Sequence, residues 1–270
     1  MHETESVRIH DSRLVLDDGE VFVRQWIPSR ANALPPLVLF HDSLGCVTLW
    51  RDFPAALCTT LGRRIVAYDR LGFGQSSPRS NRPELDFIEH EAAVIFPALC
   101  AQLGLTEVVT FGHSVGGCVA LAAARRHPQR CRAVISEAAQ SYVEERTRDG
   151  IRAAQKTFAD EAQLAKLARY HGDKALWVLK AWTDTWLDPG FANWSLQPEL
   201  ATLTYPALVI HGDRDEYGSV DFPQRIGQSV AGPAQVEILE QTGHTPHREQ
   251  PEQVLKGVAR FLNTLENPAS

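Results

Sequence analysis

The feature that most constrains this chain is a series of short apolar runs separated by stretches of helical period. Such runs fall at residues 21–26 (after the turn Asp17-Asp18-Gly19), 36–40, 64–68, 108–111, 133–135, 207–210 and 235–239. A short segment that is apolar almost throughout reads as a strand buried on both faces. Helical patterns lie between them, at 53–61, 88–103, 114–127, 222–230 and, at the end, 252–265. The alternation predicts βαβ units and an α/β fold, a mostly parallel sheet with helices on both faces.

The rhythm breaks once. From 141 to 203 no strand is legible, and the segment reads as several helices carrying Tyr170, Trp177, Trp182, Trp186, Phe191 and Trp194. It starts after one strand and ends before the next, so the expectation is a core of residues 1–140 and 204–270 with a helical cap of 141–203 inserted.

Composition removes several functions. A net charge of −6 offers no basic face for phosphates, so no nucleic acid is expected as partner. The start, Met1-His2-Glu3-Thr4-Glu5, has neither the basic nor the apolar part of a secretory signal. No apolar run approaches the ~20 residues of a membrane helix, and the expectation is a cytoplasmic protein. Cys46, Cys58, Cys100, Cys118 and Cys131 are odd in number and form no CxxC pair, which predicts core thiols rather than disulfides or a zinc site.

The chemistry starts at Gly112-His113-Ser114-Val115-Gly116-Gly117. This G-x-S-x-G follows a predicted strand and opens a predicted helix, the context of a nucleophile elbow. The sharp turn exposes the Ser114 hydroxyl at the carboxyl edge of the sheet, and the helix start presents N–H groups to developing negative charge. A serine needs a base, and the base an orienting acid. Asp215, in the loop after the run at 207–210, and His244, after the run at 235–239, supply them at the same edge, where ligands bind in open sheets. Asp213 and Glu137 compete for the acid and His247 for the base; His113 is expected to be structural, though beside the pocket. The Val115 N–H and, from the loop after 36–40, the Ser43 N–H are the expected oxyanion donors.

On these residues the chain resembles the α/β-hydrolase family. Tyr68-Asp69-Arg70-Leu71-Gly72-Phe73-Gly74-Gln75-Ser76 is similar to the family's YDxRGxGxS turn, and Gly243-His244-Thr245-Pro246-His247-Arg248-Glu249-Gln250-Pro251-Glu252 to its GHxPHxExPE stretch. The resemblance covers almost the whole chain. It implies an eight-stranded, mostly parallel sheet and a Ser-His-Asp enzyme with no metal and no cofactor. One departure stands out: the family's HGxxG loop reads His41-Asp42-Ser43-Leu44-Gly45, which puts a carboxylate, Asp42, beside the expected substrate. The Ser-Leu-Gly portion resembles the loop of 3-oxoadipate enol-lactonases. A serine at the elbow separates the chain from the dehalogenases and epoxide hydrolases that resemble it, which use aspartate.

The expected function is hydrolysis of a small carboxylic ester, lactone or thioester through an acyl-serine. Trp182 and Trp186, four apart on one helix face, are expected either to line a pocket for an apolar or aromatic acyl group or to pack the cap on the core; Glu137 is a further pocket candidate. Three other activities remain open: a carbon–carbon bond hydrolase of a vinylogous diketone, a cofactor-independent oxygenase or perhydrolase, and a non-catalytic small-molecule receptor on the same fold. The oligomeric state is open as well, a homodimer included.

Overall fold

In the computed structural model, which describes residues 7–30 and 32–266, each of the apolar runs is a strand. The order is β1 (Arg8–Leu16), β2 (Gly19–Ile27), β3 (Leu37–Phe40), α1 (Phe53–Leu61), β4 (Ile65–Tyr68), α2 (Phe87–His90), α3 (Phe96–Gln102), β5 (Val108–His113), α4 (Val115–Arg126) and β6 (Cys131–Glu137). Four helices follow: α5 (Glu145–Phe158), α6 (Glu161–His171), α7 (Ala175–Trp186) and α8 (Gln197–Leu200). The chain then forms β7 (Ala207–Gly212), α9 (Asp221–Ser229), β8 (Ala234–Leu239), α10 (Pro246–Glu249) and α11 (Pro251–Glu266). One eight-stranded sheet results, in the order β1-β2-β4-β3-β5-β6-β7-β8. Its strands are parallel from β4 to β8, and β2 runs antiparallel to both β1 and β4.

The fully apolar strands are buried on both faces because alternate side chains feed two cores. Val38, Phe40, Val66, Val134 and Val209 join the layer of α2, α3 and α4. Leu37, Leu39, Ile65, Phe111, Ile135 and Leu208 join the opposite layer of α1 and α11. Three elements depart from the sequence reading: β8, read with the buried runs, is an edge strand with Val236 and Ile238 partly exposed. β1 is an edge strand with Ile9 and Val15 facing outward, so it carries no apolar pattern to find. The helix read over 88–103 is interrupted by a π turn, Glu91–Ile95, ahead of Pro97, which has no N–H to give the regular ladder.

The turn from β5 into α4 is the tightest passage in the chain. Ser114 has φ 55° and ψ −125°, a region a side chain occupies only when its surroundings force it. Its N–H donates to Glu137 O at 2.8 Å and its carbonyl accepts from Gly117 N at 2.8 Å. Glycine is required on both sides: a Cβ at Gly112 would meet Gly116 O at 1.9 Å, and one at Gly116 would meet Phe40 O at 2.0 Å.

The helices between β6 and β7 lie against the loop that follows β4. Leu167, Ala175, Val178 and Leu179 pack with Phe73. Gly74 N–H donates to His171 Nδ1 at 2.9 Å, and Lys174 Nζ donates to Gly74 O and Ser76 O at 2.7 and 2.6 Å.

Since Phe40 O is main chain and cannot swing aside, Gly116→Ala is expected to lower stability by about 3 kcal/mol. Denaturant unfolding against the wild type measures this; a loss under about 1 kcal/mol would mean that the helix and sheet have room to separate.

Candidate active site

Three loops at the carboxyl edge of the sheet bring Ser114, His244 and Asp215 together. His244 Nε2 lies 2.9 Å from Ser114 Oγ, and His244 Nδ1 lies 2.7 Å from Asp215 Oδ2. Asp215 is fully buried; its other oxygen accepts from Tyr217 N–H at 2.7 Å, and its neighbour His211 lies 3.5 Å from Oδ2. A carboxylate that only accepts fixes the His244 proton on Nδ1, leaving Nε2 free to take one from the serine hydroxyl. Burial opposes charge on His244, but Asp215, with Glu216 and Asp42 adding to it, outweighs burial and holds the imidazole above its ordinary range. Burial likewise works against the Asp215 carboxylate, yet His244 and the Tyr217 N–H hold its pKa below the usual value.

The competing residues have other duties. Asp213 is exposed and its Oδ1 accepts from Thr242 N–H at 3.1 Å, which ties the loop after β7 to the loop after β8. His247 faces away from the serine: its N–H and Nδ1 both reach Glu137, each at 2.6 Å. Glu137, expected as a pocket residue, is fully buried beneath the site and is not among the cavity's lining residues. Burial opposes its charge, and His247, which bonds it through both its N–H and its ring, outweighs burial and holds its pKa below the usual value.

His113 sits between the two pairs, with its ring 5.1 Å from that of His244 and 5.0 Å from that of His247. Its Nε2 donates to His244 O at 2.7 Å, so it fixes the main chain at His244. Burial and His247 push its pKa down to about 4, so the ring is neutral near pH 7. His113, Glu137 and His247 also bring possible ligand atoms within 4.8 Å of one another, with His113 Nε2 bonded to His244 O and His247 Nδ1 to Glu137.

The turn after β4 positions the loop after β3. Asp69 accepts from Val47 N–H at 2.6 Å and from Gln75 N–H at 2.7 Å. Arg70 N–H donates to His41 Nε2 at 3.1 Å, so His41 carries its proton on Nδ1 and gives it to Asp42 O at 2.8 Å. Arg70 Nη2 reaches the same carbonyl at 2.9 Å. The Asp42 carbonyl in the loop 41–45 is thus held by two side chains, His41 and Arg70. After β8, Glu249 does the same for His244, accepting from Gly243 N–H at 2.7 Å and Thr245 N–H at 3.0 Å.

These residues floor a cavity of about 400 Å³. Asp42, Ser43, His113 and Ser114 line it from the sheet side, and Ile151, Phe158, Leu167, Trp182 and Trp186 from the inserted helices. Trp182 stands edge-on to Tyr217, whose ring in turn meets His244 at 4.9 Å. Trp186 is buried between Phe191 and Trp194, so it packs as well as lines. Tyr217, Gln140 and Thr147 also line the cavity and carried no readable signal: each is placed by tertiary contact, as Thr147 is by donating to Tyr217 O at 2.7 Å. Cys46 reaches the cavity too, but burial and Asp69 push its thiol up to about 12, far from a thiolate. The first N–H groups of α4, Val115 among them, have no acceptor within the helix and point toward the serine end.

The fold and this arrangement define a class, and comparison with known proteins agrees. The family model described as alpha/beta hydrolase fold matches residues 35–251, and the chain belongs to that family. It is 26% identical to the 2-hydroxymuconate semialdehyde hydrolase of Pseudomonas sp. (strain CF600), over 84% of this chain and 86% of that one. It is 35% identical over 95 residues to the 1-acylglycerol-3-phosphate O-acyltransferase ABHD5 of Sus scrofa; that match spans 35% of this chain and only 27% of the relative's length. Among solved structures it superposes on the 2-hydroxy-6-oxo-6-phenylhexa-2,4-dienoate hydrolase of Rhodococcus sp. strain RHA1 with a TM-score of 0.78 at 17% identity, covering 96% of this chain and 100% of that one. Among the described residues no helix is long and apolar enough to cross a membrane.

Glu137→Gln keeps the shape of the buried pair and removes its charge. A carboxyl held below 4.5 stabilises the fold fully above that pH and loses its contribution as pH falls through the folded value. The variant is expected to be less stable at neutral pH by about 2 kcal/mol, yet to lose less stability than the wild type from roughly pH 5 to pH 3. Melting curves across that range check the sign; parallel acid limbs would contradict it.

Proposed function

We propose that this α/β hydrolase is a serine hydrolase that cleaves a small carboxylic ester, lactone or thioester through an acyl-serine. The observation that carries the reading is the hydrogen-bonded chain Ser114–His244–Asp215 on the floor of a cavity of about 400 Å³. His244 takes the Ser114 proton as Oγ bonds to the substrate carbonyl carbon, and Asp215 stabilises the imidazolium. The Val115 and Ser43 N–H groups hold the oxygen that becomes negative. When the bond to the leaving group breaks, His244 gives that proton to the leaving atom. Water then enters, loses a proton to His244 and attacks the acyl carbon, which frees Ser114. Residues 141–203 act as a cap, and Trp182 and Trp186 shape the acyl end of the cavity.

A second reading has an observation in its favour: both the Pseudomonas relative matched over most of its length and the Rhodococcus structure are named as hydrolases of unsaturated oxo acids. In that case the bond cleaved is carbon–carbon, and a dienol product's carbanion equivalent leaves in place of an alkoxide. A panel of aryl esters, lactones, acyl thioesters and a vinylogous diketone separates the two by which class turns over.

Ser114→Ala is expected to lower kcat/KM by about 10³-fold or more on whichever class is cleaved. Since the base must be neutral and its pKa lies above 6.5, kcat/KM rises with pH along a limb centred above 6.5. Asp215→Asn removes the raising charge, so it moves that midpoint down and costs about 10⁴-fold in rate. Steady-state profiles of the three proteins test this, and a midpoint unmoved by Asp215→Asn would remove Asp215 from the role.

Trp182→Ala widens the cavity beneath the inserted helices, and the preferred acyl chain is expected to lengthen by about two to four carbons with a small change in stability. An unchanged chain-length profile would show that Trp182 only packs.

A further inference from the structure

The loop after β3 places a charge in the cavity that the proposed chemistry uses only as a minor contributor to the raised pKa of His244. Asp42 lines the cavity next to Ser43, Ser114 and His244, and its side chain is 34% exposed. Its main-chain carbonyl is pinned by His41 and Arg70, so the residue cannot swing out with its loop. The carboxylate folds over Gly45, where even a Cβ would come within 2.0 Å of Oδ1. Among the described residues none donates a hydrogen bond to it. His113 Nδ1 lies 4.0 Å from Oδ1, but that ring spends its proton through Nε2 on His244 O. The cations that line the cavity give their hydrogen bonds elsewhere, Arg248 Nη2 to Leu49 O at 2.8 Å and Lys166 Nζ to Gln163 Oε1 at 3.1 Å, so Asp42 feels the charge of Arg248 and of the neighbouring histidines only through space. A second carboxylate, Glu216, lines the same space.

A substrate seated over Ser114 strips water from Asp42, and a desolvated carboxylate needs a donor or a positive charge in exchange. Because Asp42 lines the cavity together with Ser43, Ser114 and His244, that exchange falls near the scissile carbonyl. We propose that Asp42 selects the acyl group: the enzyme prefers acyl groups with a protonated amine on the carbon next to the carbonyl and rejects those with a carboxylate there. This inference rests on the serine-hydrolase reading above.

Three ethyl esters of one shape test it: those of alanine, isobutyric acid and methylmalonic acid (as the half-ester), whose branch carries an ammonium, a methyl or a carboxylate. At roughly pH 6.5 the α-ammonium is mostly protonated. The wild type is expected to rank them in that order by kcat/KM. Asp42→Asn, and Asp42→Gly as a second variant, should each shrink the alanine-to-methylmalonate ratio by about tenfold or more. Circular dichroism shows that the variants are folded. The same ranking is measured as binding, by tryptophan fluorescence, to Ser114→Ala with and without Asp42→Asn, so that slow turnover does not decide the matter. A ratio equal in all three proteins, or equal affinities of the three esters for Ser114→Ala, overturns the role of Asp42. Hydrolysis that survives Ser114→Ala overturns the serine-hydrolase reading instead, and leaves the Asp42 ranking to stand or fall by the binding measurement.

Discussion

Backbone meets backbone where α4 crosses the sheet, at Gly116 against Phe40 O and at Gly112 against Gly116 O, and the rest of the site depends on that contact. It forces Ser114 into a conformation that a side chain otherwise avoids, and so lifts the hydroxyl clear of the sheet. It also brings the loop after β3 alongside the start of α4, which puts the Ser43 segment next to the free N–H groups of the helix. Replacing either glycine would separate these two loops before it touched any side chain of the site.

Two histidine–carboxylate pairs then share the space behind the serine, and burial distinguishes them. His244–Asp215 opens onto the cavity, and its histidine is raised by surrounding carboxylates. In the His247–Glu137 pair the carboxylate is buried away from the cavity, while His247 is among the residues that line it. His113 joins them through His244 O, so the strand end at Glu137, the turn at Ser114 and the loop after β8 are tied together by hydrogen bonds. In this arrangement the candidate base is positioned through its main chain as well as through Asp215.

The parallel sheet and the serine, histidine and acid positions were legible because each rests on a local pattern: an apolar run, a turn that only glycine permits, and a polar residue just past a strand end. Asp213, the first acid after β7, turns instead to the loop after β8, where it accepts from Thr242 N–H. What was not legible depends on tertiary contact. β1 carries no period because it lies at an edge, and Glu137 read as a pocket residue because its strand-end position says nothing about His247 below it. Tyr217, Thr147 and Gln140 come to the cavity from three separate stretches of chain, so no local pattern marks them. Asp42 was visible as a departure from glycine, but whether its carboxylate faced the cavity or the core was decided by Gly45 and Arg70.

The most direct test of the central claim is covalent labelling of the resting protein with a fluorophosphonate, the site being located by peptide mass spectrometry. One label per chain is predicted, on Ser114, and its formation should be lost in His244→Ala. A label on another residue, or no label on a folded protein, would contradict an activated Ser114 and the acyl-serine mechanism with it.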